Sequence, residues 1–337
     1  MPTPRVPDPA ASAAGAPDAG STPANTATRR RGVLVAGVEG GMLVMTLAML
    51  IAPGMDAIAK LLGEEQASGQ VAFTRFALQT LILLPVCLIV GDSLRPRLLG
   101  LHAARGALIG IATLCFFTAI TVMPLADALA VFFVEPLILT LMSAIFLGEP
   151  IGWRRLSAVV VGFAGALVIV GPSWDVFGPA ALLPLGAATA LSGYLVLTRR
   201  LAAEGGLVAM QVWAGLFGAL VLGVALAAGA ATGIGFLTPS VPPVEALGWM
   251  AALGVLAAVS HLLIVIAFSH APAGVLAPFH YLEILMATAL GYFMFGDFPG
   301  LATWGGLVLI VGAGLYVFHR ERRLARAAAH APTIAPT

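Results

Sequence analysis

The chain has 337 residues, 60% of them hydrophobic and only 10% charged, with a formal net charge of +1 and a mean hydropathy of +1.00. A soluble domain averages roughly 45–50% apolar and about 25% charged residues, so this chain cannot hide its apolar surface in a water-soluble fold. The near-neutral balance offers no basic surface for nucleic acid.

In chain order, residues 1–32 come first. They are rich in Pro, Ala, Ser and Thr and poor in large apolar side chains, the composition of a disordered tail. Arg29, Arg30 and Arg31 then lead into a long apolar run with no clean small-residue cleavage site, so a retained first transmembrane helix is expected rather than a signal peptide. Ten apolar runs follow, near 34–60, 71–91, 105–123, 125–147, 155–171, 177–198, 207–231, 246–269, 273–295 and 301–318. About 20 apolar residues cross a bilayer as a helix. Barrel strands are disfavoured, because the runs lack alternation and exceed the roughly ten residues of such a strand. Cys87 and Cys115 lie inside these runs and read as buried thiols rather than a disulfide. Residues 320–337 form a basic tail.

Positive charge orients the array. Arg95, Arg97 and Arg105 fall between runs 2 and 3, Arg154 and Arg155 between 4 and 5, and Arg199 and Arg200 between 6 and 7; Arg320, Arg322, Arg323 and Arg326 follow run 10. With ten spans, all of these lie on one side. The segments Gly63–Gln70, Gly171–Gly178 and Thr232–Glu245 on the other side contain no Lys or Arg. Cytoplasmic N- and C-termini follow.

The chain also repeats itself. At an offset of 148 positions, Pro124 meets Pro272, Glu135 meets Glu283, Gly148 meets Gly296 and Glu149 meets Asp297. Residues 33–172 and 173–319 are therefore expected to be homologous halves. Five spans is an odd number, so the halves enter the membrane in opposite senses. Such inverted repeats are the architecture of secondary transporters.

Inversion places Glu135 and Glu283 at one depth, near the bilayer centre, where a charge costs on the order of 3 kcal/mol. The pair either binds a cationic group or a proton, or is a protonated hydrogen-bonding pair that holds helices together. Pro136 and Pro278 each remove a backbone donor and mark either a broken helix at the site or a packing kink. In run 1, Pro53 and Gly54 should interrupt or bend the helix, while Asp56 and Lys60, four apart, share a face and can pair. With Arg75 and Asp127 they form either an outer gate or an interfacial salt-bridge cluster. Phe132, His280 and Tyr281 are candidates to line a cavity. His261, His270 and His280 share no helix face, and no other metal-ligand spacing or cofactor motif occurs. The only lysine, Lys60, has no Walker A context, so this chain does not hydrolyse ATP. No nucleophile–base spacing marks it as an enzyme.

The stretch Pro124–Arg155, with P-L-A-D-A-L-A and E-P-L-I-L-T-L-M-S-A-I-F-L-G-E, resembles the EamA repeat of the drug/metabolite transporter superfamily. Residues Leu276–Pro299 resemble the same repeat. The resemblance covers about 34–319. It implies an all-α membrane protein of ten transmembrane helices in two inverted five-helix halves, set in the bacterial inner membrane. It also implies transport driven by an ion gradient or by the solute's own gradient. The expected function is secondary transport of a small polar organic metabolite, amino-acid-like or related. Import of a vitamin or nucleoside-like compound such as riboflavin or S-adenosylmethionine is the alternative, and a non-transporting membrane scaffold or sensor is the reading from another class. The expected partners are a small-molecule substrate, the lipid bilayer and protons, with the chain acting as a monomer or a homodimer and needing no cofactor.

Overall fold

In lipid every backbone N–H and C=O must find a partner within the chain, and the helix is the local solution. The computed structural model describes residues 38–148, 152–201, 206–271 and 276–329; the tail at 1–32, Gly37, Glu149 and Pro272 lie outside them. Among the described residues there are eleven α-helices and no strand. They are α1 (Val38–Leu62), α2 (Ser68–Val90), α3 (Leu99–Ile120), α4 (Leu125–Phe132), α5 (Glu135–Leu147), α6 (Trp153–Phe177), α7 (Leu183–Leu201), α8 (Leu207–Thr232), α9 (Val244–His270), α10 (Leu282–Phe295) and α11 (Leu301–Ala329).

Seven helical segments are long and apolar enough to cross a bilayer. One of them, Leu156–Leu201, runs for 46 residues and contains α6 and α7 joined by a 3-10 turn at Gly178–Leu182. Two shorter apolar helices are Phe279–Phe295 and Leu301–Val317. Large apolar side chains such as Leu81, Ile89, Phe293 and Val308 are exposed, which suits a surface solvated by lipid tails.

Turn residues proved weaker stops than in water. Pro53 lies inside an uninterrupted α1, and Pro85 inside α2. The stretch Gly171–Gly178, expected as a loop, is helical as far as Phe177 despite Pro172. Leaving the helix early would strand several backbone groups in hydrocarbon, whereas an interior proline strands only one. True stops use glycine in the left-handed region, at Gly91, Gly148, Gly233 and Gly296 (φ +79, +70, +72 and +72).

Helices of the first half pack on helices of the second. α1 lies along α9 and α3 along α7; α3 also packs on α8, and α2 on α9; α5 rests on α7 and α10 on α1. α2 pairs with α8, and α6 with α11. Glycines admit the closest approaches: a Cβ on Gly165 of α6 would fall 2.7 Å from the Gly306 carbonyl oxygen of α11. Gly41 faces Ala267 of α9 and Ala271 just after it, and Gly106 faces Phe217 and Gly218 of α8. Cys87 and Cys115 are both free thiols.

Candidate functional site

Run 4 is two helices rather than one kinked rod. α4 stops at Phe132, a turn at Phe133–Val134 intervenes, and α5 begins at Glu135 with Pro136 in its first turn. Proline suits that position, where its fixed φ is helical and its missing N–H has no helix partner to lose. A turn also precedes α10. A 3-10 turn at Ala277–Tyr281 opens with Pro278 in its first positions, and α10 then begins with Glu283 in its first turn. Both carboxyls thus sit in the first turn of an α-helix, where the helix dipole favours negative charge.

Glu135 Oε1 is buried and has no hydrogen-bond partner among the described residues. The Glu135 backbone carbonyl accepts a hydrogen bond from Ser192 Oγ of α7 at 3.1 Å, which anchors the start of α5. Arg199 acts on Glu135 electrostatically and donates to Ser143 Oγ of α5 at 3.1 Å. Of the aromatic candidates, Tyr281 faces Phe133 at 5.8 Å between ring centroids, while Phe132 faces Phe116 at 5.2 Å. His280 is partly buried in the 3-10 turn beside Tyr281.

The four charges expected at one outer gate fall into two groups. Lys60 does not pair with Asp56. Its Nζ donates to Asp297 Oδ2 at 2.6 Å and to the Met123 carbonyl at 3.2 Å, and lies 4.8 Å from the Phe295 ring centroid. Asp127 joins this group electrostatically, and its Oδ1 accepts from Thr303 Oγ1 at 2.7 Å. Spacing of four puts two side chains on one helix face, but Lys60 lies at the end of α1, where a long side chain reaches other elements more easily than it reaches back.

Asp56 and Arg75 belong to the interior instead. Arg75 is buried, not at the turn, and reaches three helices: Met55 Sδ of α1 at 3.3 Å, Thr113 Oγ1 of α3 at 3.2 Å and His261 Nε2 of α9 at 3.4 Å. His261 Nδ1 lies 2.8 Å from the Ala257 carbonyl, so Nδ1 carries the proton and Nε2 accepts from Arg75. Asp56 is buried beside this cluster, within electrostatic reach of Arg75 and of Glu283.

Arg105, counted from the sequence among the loop arginines, is buried in the second turn of α3. Its guanidinium donates to Thr198 Oγ1 at 2.7 Å and Tyr194 Oη at 2.6 Å, both on α7, and to the Met210 carbonyl of α8 at 2.6 Å. The apolar residues that follow it, Gly-Ala-Leu-Ile-Gly (106–110), were the available signal that the helix had already begun. His261 and Thr113 carried no such signal, because only tertiary contact gives them a partner. Two surface hollows, one apolar against α8 and one near Glu64 and Trp249, contain neither Glu135 nor Glu283.

Residues 39–171 match the model of the EamA-like transporter family. These residues form an EamA-like transporter domain. The matched stretch includes Asp56, Lys60, Arg75, Asp127 and Glu135. Similarity over most of the chain extends to curated bacterial transporters. The S-adenosylmethionine uptake transporter of Rickettsia bellii is 27% identical over 278 residues, covering 82% of this chain and 92% of that protein. The riboflavin transporter of Brucella anthropi is 28% identical, covering 77% of this chain and 90% of its own. The pseudopaline exporter CntI of Pseudomonas aeruginosa is 28% identical over 82% of this chain and 95% of its own. A protein of known crystal structure superposes with a TM-score of 0.59 at 22% identity, over 85% of this chain and 99% of that one, which shows a shared fold.

Proposed function

We propose that this chain, with its EamA-like domain, is a secondary carrier of a small polar organic metabolite, amino-acid-like or related, across the bacterial inner membrane by alternating access. The observation that carries the reading is the pair Glu135 and Glu283, each at the start of a helix that begins inside an apolar span. Broken spans with half-helix ends at the midplane are the device by which such carriers bind solutes.

The proposed architecture is ten spans in two inverted halves with both termini in the cytoplasm. At about 1.5 Å per residue, the 46-residue segment Leu156–Leu201 is long enough for two crossings. Exchanging the halves turns the α1–α9 contact into α7–α3, α2–α9 into α8–α3 and α5–α7 into α10–α1, while α2–α8 and α6–α11 map onto themselves. In this scheme Phe132, Tyr281 and His280 border the solute path, and the Lys60 and Asp127 cluster closes its outer mouth. The breaks carrying Pro136 and Pro278 are the hinges, with Pro53 and Gly54 as a further point of bending. Protons, another ion or the solute's own gradient supply the drive, and the chain works as a monomer or a homodimer.

A second reading, import of a vitamin or nucleoside-like compound, is favoured by relatives named for S-adenosylmethionine uptake and riboflavin transport. Membrane vesicles containing the protein test both, with labelled S-adenosylmethionine, riboflavin and amino acids offered from either side. Glu135→Gln and Glu283→Gln should each slow the flux at least about tenfold, by analogy with the loss of one charge-assisted contact. Wild-type rates in both variants would remove the carboxyl pair from the mechanism.

A further inference from the structure

Arg75 and Arg105 are 3% and 2% exposed, and neither meets a carboxylate at ion-pair distance among the described residues. Their surroundings differ. Arg105 makes three hydrogen bonds of 2.6–2.7 Å to a carbonyl and two hydroxyls. The three contacts of Arg75 are 3.2–3.4 Å long, and one acceptor is a thioether, the weakest acceptor among side chains. A guanidinium offers five donors in a planar fork that matches a carboxylate. Besides these acceptors the guanidinium meets the face of the Phe76 ring at 4.3 Å and the through-space charge of Asp56; burying it without an anion in hydrogen-bond contact is costly, and a ligand that supplies one removes that cost.

The complementary charge lies next to it. Asp56 is 5% exposed and follows Met55, the residue Arg75 touches, yet it accepts no hydrogen bond from the described residues. Glu283 begins α10, which packs on the α1 helix that carries Asp56, and the two carboxyls act on each other electrostatically; Glu283 likewise accepts no hydrogen bond from the described residues. A purely anionic solute would leave these two carboxyls without donors, and a purely cationic one would leave Arg75 without an anion. His261 holds the guanidinium through a neutral nitrogen, so it orients the fork without discharging it.

We infer that Arg75 receives the carboxylate, and Asp56 with Glu283 the ammonium group, of a zwitterionic solute with an α-amino-acid head. The inference rests on the reading that the interior carboxyls face the transported solute. It moves Arg75 from gate to ligand anchor.

The test uses the purified full-length chain, with thermal unfolding shifts and calorimetry as readouts. The probes are the standard L-amino acids, S-adenosylmethionine and riboflavin, and, for each zwitterion that binds, its decarboxylated and its deaminated analogue. The expected result is that at least one zwitterion binds and both of its analogues bind at least about tenfold more weakly. Arg75→Gln should abolish the preference over the decarboxylated analogue and keep the preference over the deaminated one; Asp56→Asn should do the reverse. If Arg75→Gln does not purify as a single species, the wild-type analogue comparison decides. Binding of no zwitterion, equal binding of the decarboxylated analogue, or unchanged discrimination in a well-folded Arg75→Gln overturns the inference. Riboflavin binding alone overturns it and leaves the carrier reading standing. Zwitterion binding with no vesicle flux supports the site and sinks the carrier reading.

Discussion

Lys60 and Asp297 are 237 positions apart in sequence and meet at 2.6 Å. The contact joins the end of α1 to the segment after α10. Through the Met123 carbonyl and the neighbouring Asp127–Thr303 hydrogen bond, the same patch ties in the starts of α4 and α11. One lysine therefore gathers both halves of the chain at one end of the bundle.

That pair should behave as a unit. The two side chains are 13% and 28% exposed, so water screens them only partly. Lys60→Met and Asp297→Asn should each lower stability by about 1 kcal/mol, and the double variant should lose little more than either single one. Thermal unfolding in detergent measures the cycle. Strictly additive losses would show that the two charges are not coupled.

The two buried arginines should separate stability from function. Arg105 holds α3 to α7 and α8 by three short bonds, so Arg105→Met should cost about 2–4 kcal/mol. Arg75→Met gives up long, weak contacts and the Phe76 ring and leaves Asp56 without its neighbouring cation, so it should cost about 1–2 kcal/mol, less than Arg105→Met, while solute binding falls. Equal destabilisation by both variants would contradict the contrast drawn from their geometry.

Glycines of α11 should respond oppositely to alanine. A Cβ on Gly306 meets the Gly165 carbonyl of α6 at 2.5 Å, backbone that cannot swing away, whereas a Cβ on Gly312 meets nothing within 4 Å. Gly306→Ala should destabilise by about 1–3 kcal/mol, and Gly312→Ala should be neutral or stabilise by up to about 1 kcal/mol. Melting temperatures of the two variants, measured side by side, check this.

Pro136 offers a test of the break in run 4. Because it lies in the first turn of α5, Pro136→Ala should change stability by less than about 1 kcal/mol. A proline in the middle of a continuous helix would cost about 3 kcal/mol or more, so a gain of that size on replacement would mean that α4 and α5 are one strained helix.

Local chemistry made much of this legible before any contact was known. Hydropathy alone demanded membrane helices, because no other local structure satisfies a backbone in lipid. The recurrence of Glu135 as Glu283, and of Gly148 as Gly296, required only comparison of the chain with itself; the structure adds that both glycines end helices in the left-handed region, which glycine enters without strain. What proline does was decided by position relative to a helix start, so Pro136 opens α5 while Pro53 is absorbed within α1. Charge partners were decided by tertiary structure alone. Lys60 and Asp56 share a helix face, yet one reaches Asp297 and the other lies beside Arg75 and Glu283. Arg75 and Arg105 look alike as residue types, and only the helices packed around them make one well bonded and the other poorly so. Hydropathy and turn preference act between neighbours in the chain, whereas the energy of a buried charge depends on every element that surrounds it.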